Sequence, residues 1–113
     1  MNEVVELRSI VGVNCVSSDD GHGVYQRIQR ALQDKNDITV SFADVEDVTT
    51  AFLNAAIGKL YGEFDEETIR LHLHVTDAEG DHRALLKRVV DRAKDFFKDP
   101  SKIEAAVREE LGE

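Results

Sequence analysis

Tryptophan is absent from the 113 residues, proline and cysteine occur once each, and only two Tyr and five Phe are present. Each scarcity excludes something. Too few aromatic side chains are available to build a stacking platform for single-stranded bases. Cys15 has no intrachain partner, so the fold owes nothing to a disulfide and suits a reducing compartment, the cytoplasm. It lies in the apolar run 11–16, where a buried structural thiol is expected rather than a nucleophile. No apolar stretch approaches the roughly 20 residues that cross a bilayer. The opening Met1-Asn2-Glu3-Val4-Val5-Glu6 is acidic where a secretory signal is basic and then apolar. Basic side chains are also scarce, 14 Lys and Arg against 23 Asp and Glu, for a net charge of −9. Such a surface repels phosphate backbones and anionic headgroups, so neither nucleic acid nor membrane is expected as a partner.

What is present suits one folded domain spanning residues 1–113: 42% of the side chains are hydrophobic and 33% charged, enough for a single aliphatic core and too few residues for two. Residues 1–80 carry 6 basic and 15 acidic side chains, whereas residues 81–113 carry 8 of each. The acidic surface therefore belongs to the first part, where it either receives a basic partner or keeps the domain dissolved.

The segment 3–16 is rich in β-branched residues and is interrupted once, at Gly12, which predicts two short strands joined by a bend. Ser17-Ser18-Asp19-Asp20-Gly21 predicts a turn and helix cap, followed by a helix with Val24, Ile28, Ala31 and Leu32 on one face. Ile38, Val40 and Phe42 alternate with Thr39 and Ser41 as a strand. A polar connection leads to a largely buried helix from Thr49 or Thr50 to about Gly62, and the alternation Ile69, Leu71, Leu73, Val75 predicts a further strand. An amphipathic helix runs from Asp81 to about Phe97, and Asp99-Pro100 starts a shorter one over about 100–112, loosely attached, with Ile103, Ala106, Val107 and Leu111 at helical spacing. Alternating strands and helices of this kind predict an α/β fold with a small, mixed but mostly parallel sheet of about four strands and helices packed on it.

The catalytic inventory is thin, and no enzyme is expected. Gly21, His22 and Gly23 precede the first helix and could turn backbone N–H groups toward an anion, but two carboxylates stand before them and no phosphate-loop lysine is present. His72 and His74, two apart on the predicted strand, share a face; without a cysteine pair or a metalloprotease spacing they predict no metal site. No cofactor is implied. The remaining constellation is Asp44-Val45-Glu46-Asp47-Val48-Thr49-Thr50, a polar loop entering a buried helix. Its hydroxyls serve as helix caps, or as phosphoacceptors whose modification would carry nearly two negative charges into a docking surface.

The stretch from Phe42 through Thr49-Thr50-Ala51-Phe52-Leu53-Asn54 to Gly58-Lys59-Leu60 resembles the signature of STAS-like domains, prokaryotic proteins of largely unassigned function. These are similar in turn to anti-sigma factor antagonists and to the cytoplasmic domains of sulfate transporters. The specific motif covers residues 42–60, and the element order agrees from about residue 3 to 97. The resemblance implies a STAS-like fold and a regulatory protein–protein interaction, with a kinase-type anti-sigma factor as partner and a partner switch under phosphorylation control. It places the usual phosphoacceptor at Ala51, which cannot be modified, so Thr50 or Thr49 takes over or the domain binds constitutively. The implied docking surface is Asp44, Glu46, Asp47, Thr49 and Thr50, with Asn54 and Lys59 on the helix that follows. Two other readings compete. One is a small enzyme or ligand- or nucleotide-binding domain using the Asp20–Gly23 turn and the C-terminal ends of the parallel strands; the other is a structural homo-oligomer, a homodimer for instance, packed through Ala55, Ala56 and Gly58 or through the last helix with Ile103, Val107 and Leu111.

Overall fold

Val4 and Val5 lie in β1 (Asn2–Glu6), which passes directly into one helical turn, α1 (Leu7–Ile10), and then into the short β2 (Asn14–Cys15). The structure, a computed structural model, describes residues 2–98. The end of the expected first strand is thus a helical turn. Leu7 points into the core, and its carbonyl accepts from the N–H groups of Val11 and Gly12. Gly12 then reverses the chain at φ 121°, a conformation that side-chain-bearing residues rarely adopt.

α2 (Ser18–Gln33) starts earlier than the hydrophobic period alone predicts, because Ser17 caps it by accepting from the Asp20 N–H at 3.1 Å. Asp19 and Asp20 stand at its positive end, and Gly21, Val24, Ile28, Ala31 and Leu32 form its buried face. β3 (Asp37–Ser41) follows, then β4 (Asp47–Val48), α3 (Thr50–Ala56) and a 3-10 turn over Gly58–Gly62.

The strand expected from Ile69 onward begins only at β5 (Leu73–Thr76), and α4 (Glu66–His72) precedes it. The side chain of Asp65 accepts from the Thr68 N–H at 2.8 Å, Glu66 and Glu67 occupy the first turn, and Arg70 and His72 the last. Ile69 is buried while Leu71 is 57% exposed, so the alternation that reads as a strand is coincidental there. α5 (Asp81–Lys98) ends the described chain; the helix expected over about 100–112 lies outside the described residues.

The main sheet has the order β1-β3-β5, all parallel, with Val5 opposite Val40 and Val40 opposite Val75. β2 and β4 form a separate parallel pair, so the parallel sheet expected from the element order is divided into three strands and two. Val5, Ile38 and Val40 face a core with Ile28, Leu32, Phe52, Leu53, Leu60 and Val89, while Val4 on the opposite face is 57% exposed. No helix among the described residues is long and apolar enough to cross a membrane.

Candidate functional site

The loop leaving β3 is fastened at both sides. At its start the Ser41 hydroxyl donates to Asp77 Oδ2 at 3.0 Å and accepts from the Ala43 N–H at 3.3 Å. Asp44 turns the chain in the left-handed region, at φ 62°, a conformation that Asp tolerates better than most residues. The N–H groups of Glu46 and Asp47 both donate to the Val13 carbonyl, at 2.8 and 3.1 Å, and His82 Nε2 donates to the Glu46 carbonyl at 2.9 Å. The Thr49 N–H then reaches the Cys15 carbonyl at 3.2 Å. Val45 is buried beneath the loop, whereas the side chains of Asp44, Glu46, Asp47 and Thr50 are exposed. The backbone is held in place and the carboxylates are exposed, an acidic strip on a fixed loop.

The two adjacent threonines have different positions. Thr49 is the N-cap of α3: its hydroxyl accepts from the Phe52 N–H at 3.2 Å and donates to the Val16 carbonyl at 2.7 Å. Thr50 is the first residue of α3 and is exposed, as is Ala51. Val16, 43% exposed, lies beside Thr49 and adds an apolar element to the strip. The sequence does not single it out, because only the pairing of β2 with β4 brings residue 16 to residue 49.

Asn54 and Lys59 face elsewhere. With Gly58 they line a groove of about 700 Å³ whose other side is Arg92, Ala93, Asp95, Phe96 and Phe97 of α5. None of the acidic loop residues lines it, so the seven-residue surface expected from the sequence divides into an acidic strip and a groove wall.

Lys59 also meets a residue from another expected site. Its ammonium donates to His22 Nδ1 at 2.8 Å and lies 4.5 Å above the Tyr25 ring, which stacks on His22 at 5.7 Å. The Tyr25 hydroxyl donates to Glu63 Oε2, and Gln29 Nε2 donates to Glu63 Oε1 at 2.6 Å. Burial and then the Glu63 carboxylate push the Tyr25 phenol up to about 12.

Gly21 is buried within α2, and its N–H donates to the Ser17 carbonyl at 3.1 Å, so it is engaged in the helix. A Cβ at Gly21 would stand 2.5 Å from the Phe52 carbonyl oxygen; the residue is bare because α3 passes there. Gly23 and His22 are exposed on the same helix. His72, at the end of α4, has Nδ1 2.9 Å from Asp37 Oδ1, whereas His74 lies in β5; the two do not share one strand face. Among the described residues no group of three or more His, Cys, Asp or Glu is arranged to hold a metal ion. Cys15 is buried, and desolvation, reinforced by Asp20, pushes its thiol up to about 11, away from thiolate chemistry at neutral pH.

A family model described as a STAS-like domain of unknown function matches residues 20–83, more than half of the chain and the part that runs from α2 through β5 into α5. No curated protein matches the chain, and no solved structure does. The matched span contains the acidic loop, both threonines and the helix they cap, and the chain belongs to the STAS-like domain family.

Proposed function

We propose that this STAS-like domain is a regulatory protein-interaction module, without catalysis of its own, that acts in the cytoplasm on a protein partner carrying basic side chains. The observation that carries this reading is the acidic strip: Asp44, Glu46, Asp47 and Thr50 exposed on a loop whose backbone is tied to residues 13–16 and to His82. A surface fixed in advance loses little conformational entropy on binding, and clustered carboxylates steer a cationic partner. Val16 gives the strip an apolar contact at its edge.

The finer reading follows the likeness to anti-sigma factor antagonists. The partner is a kinase-type anti-sigma factor, and phosphorylation controls the exchange. Thr50 is the favoured acceptor, because it is exposed while the Thr49 hydroxyl is engaged on both sides. A phosphate on Thr50 would add nearly two negative charges beside Asp47 and change the docking surface directly.

The test is affinity capture from the protein's own lysate with identification by mass spectrometry, reading Thr49 and Thr50 for phosphate in the same run. Replacing Glu46→Lys together with Asp47→Lys should abolish capture while the circular dichroism spectrum stays unchanged. Equal capture by the double variant, or no partner for the parent, overturns the proposal.

A further inference from the structure

β5 is an outer strand of the main sheet, and among the described residues no strand pairs with its free side. The Thr76 carbonyl accepts from the Phe42 N–H at 2.9 Å, so the backbone groups of Thr76, and two residues back those of His74, point to β3. Those of Leu73 and Val75 therefore point to the free edge. The Leu73 N–H is taken by the Ile69 carbonyl at the end of α4, which leaves the Val75 N–H and the two carbonyls there. The side chains of Leu73 and Val75 are half-buried, as are Leu86 and Val90 of α5 beside them. The two outer strands are guarded differently. β1 carries Glu3 and Glu6, which repel a second β1, whereas Leu73-His74-Val75-Thr76 contains no Asp, Glu, Lys, Arg or Pro.

We propose that β5 pairs antiparallel with β5 of a second copy of this chain, about a two-fold axis at His74, so that the two three-stranded sheets become one. Charge complementarity favours that occupant. The cleft at the start of β5 holds Arg70 and the Lys94–Glu66 ion pair, and the cleft at its end holds Asp77 and Glu79 against Arg83. An antiparallel copy sets each cationic end beside the other's acidic end. The side-chain pattern selects the register. A two-fold axis perpendicular to the sheet keeps both core faces on one side, so opposite residues share a face and the axis passes through a residue. Centred on His74, Leu73 and Val75 stand opposite each other twice, apolar against apolar, and each Val75 N–H donates to a Leu73 carbonyl across the axis. Centred on Val75, Leu73 would stand opposite Asp77, a carboxylate beyond the strand at φ 62°. None of Asp44, Glu46, Asp47 and Thr50 lies on β5, so this pairing and the docking surface proposed above stand or fall separately.

Sedimentation equilibrium of the full chain across micromolar concentrations tests it, and the parent should pass from monomer to dimer. His74 is exposed, so His74→Lys and His74→Glu should each keep the circular dichroism spectrum of the parent. Each variant sets like charges opposite one another at the axis and should raise the dissociation constant about fivefold. Mixed in equal amounts, the two variants should associate more tightly than either does alone, because lysine then faces glutamate. A parent that stays monomeric overturns the proposal. So do variants that dimerise as well as the parent, which would place the contact on another face, and a mixture no tighter than its components.

Discussion

Replacing Gly21 with alanine would put a methyl group 2.5 Å from the Phe52 carbonyl oxygen and 2.9 Å from the Ala55 Cβ. Neither neighbour can rotate away, one being the backbone of α3 and the other a Cβ, so α2 would have to move off the helix it packs against most extensively. Overpacking of this kind costs about 1–3 kcal/mol. The better helix propensity of alanine returns about 1 kcal/mol, leaving a net loss of about 0–2 kcal/mol. Gly23, two residues along the same helix, has open space around its missing Cβ and is exposed, so Gly23→Ala should gain about 0.5–1 kcal/mol. The two variants thus move in opposite directions. For a domain of this size each kcal/mol is worth about 4–8 °C in melting temperature. Urea unfolding followed by circular dichroism measures both, with the midpoint shifting and the slope unchanged. A Gly21→Ala midpoint raised as far as that of Gly23→Ala would refute the close-contact argument and return Gly21 to the candidates for a ligand role.

Thr49→Ala removes both the cap of α3 and the bond to Val16 and should cost about 1–2 kcal/mol, whereas Thr50→Ala should stay within about 0.5 kcal/mol. Urea midpoints in the reverse order would reassign the cap. Cys15 and Tyr25 have folded-state values of about 11 and about 12 against ordinary values of 9.0 and 10.0, so the unfolded chain gives up both protons first. Their contribution to stability is therefore complete below about pH 9 and is lost progressively as the pH rises toward 12, and Tyr25→Phe should flatten the upper part of that decline. Urea midpoints from pH 8 to 12 check the trend; stability that rises through this window contradicts it.

The long helices were legible because their core-facing residues repeat: Val24, Ile28, Ala31 and Leu32 in α2, and half-buried Leu85 with buried Val89 and Ala93 in α5, keep the helical period over several turns. The shorter elements carry too few periods to decide. Ile69, Leu71, Leu73 and Val75 alternate, yet the first two lie in α4, where the capping Asp65 and the acidic first turn outweigh the alternation. The parallel pairing of Asn14 with Asp47 and of Cys15 with Val48 leaves no periodic signal, because each strand is two residues long. The acidic strip was legible because it is contiguous. The Lys59–His22 contact and the place of Val16 beside Thr49 were not, since both join residues more than thirty positions apart.

Thr49 links three parts of the site, two through its hydroxyl and one through its backbone N–H. The hydroxyl accepts from a free N–H in the first turn of α3, at Phe52, and donates to the carbonyl of Val16, just before the cap of α2. The strand pair β2–β4 enters on the same side, through the Thr49 N–H and the Cys15 carbonyl. A change of the Thr49 side chain therefore loosens the start of α3 and the turn into α2 together, because each loses a hydrogen-bond partner, while the backbone bond to Cys15 remains. A change at Thr50 breaks none of these bonds and alters only the charge presented to a partner. If regulation acts at Thr50, the fold stays intact and affinity alone changes. If it acts at Thr49, affinity and stability fall together, so the two sites are distinguished by whether lost binding is accompanied by a lower unfolding midpoint.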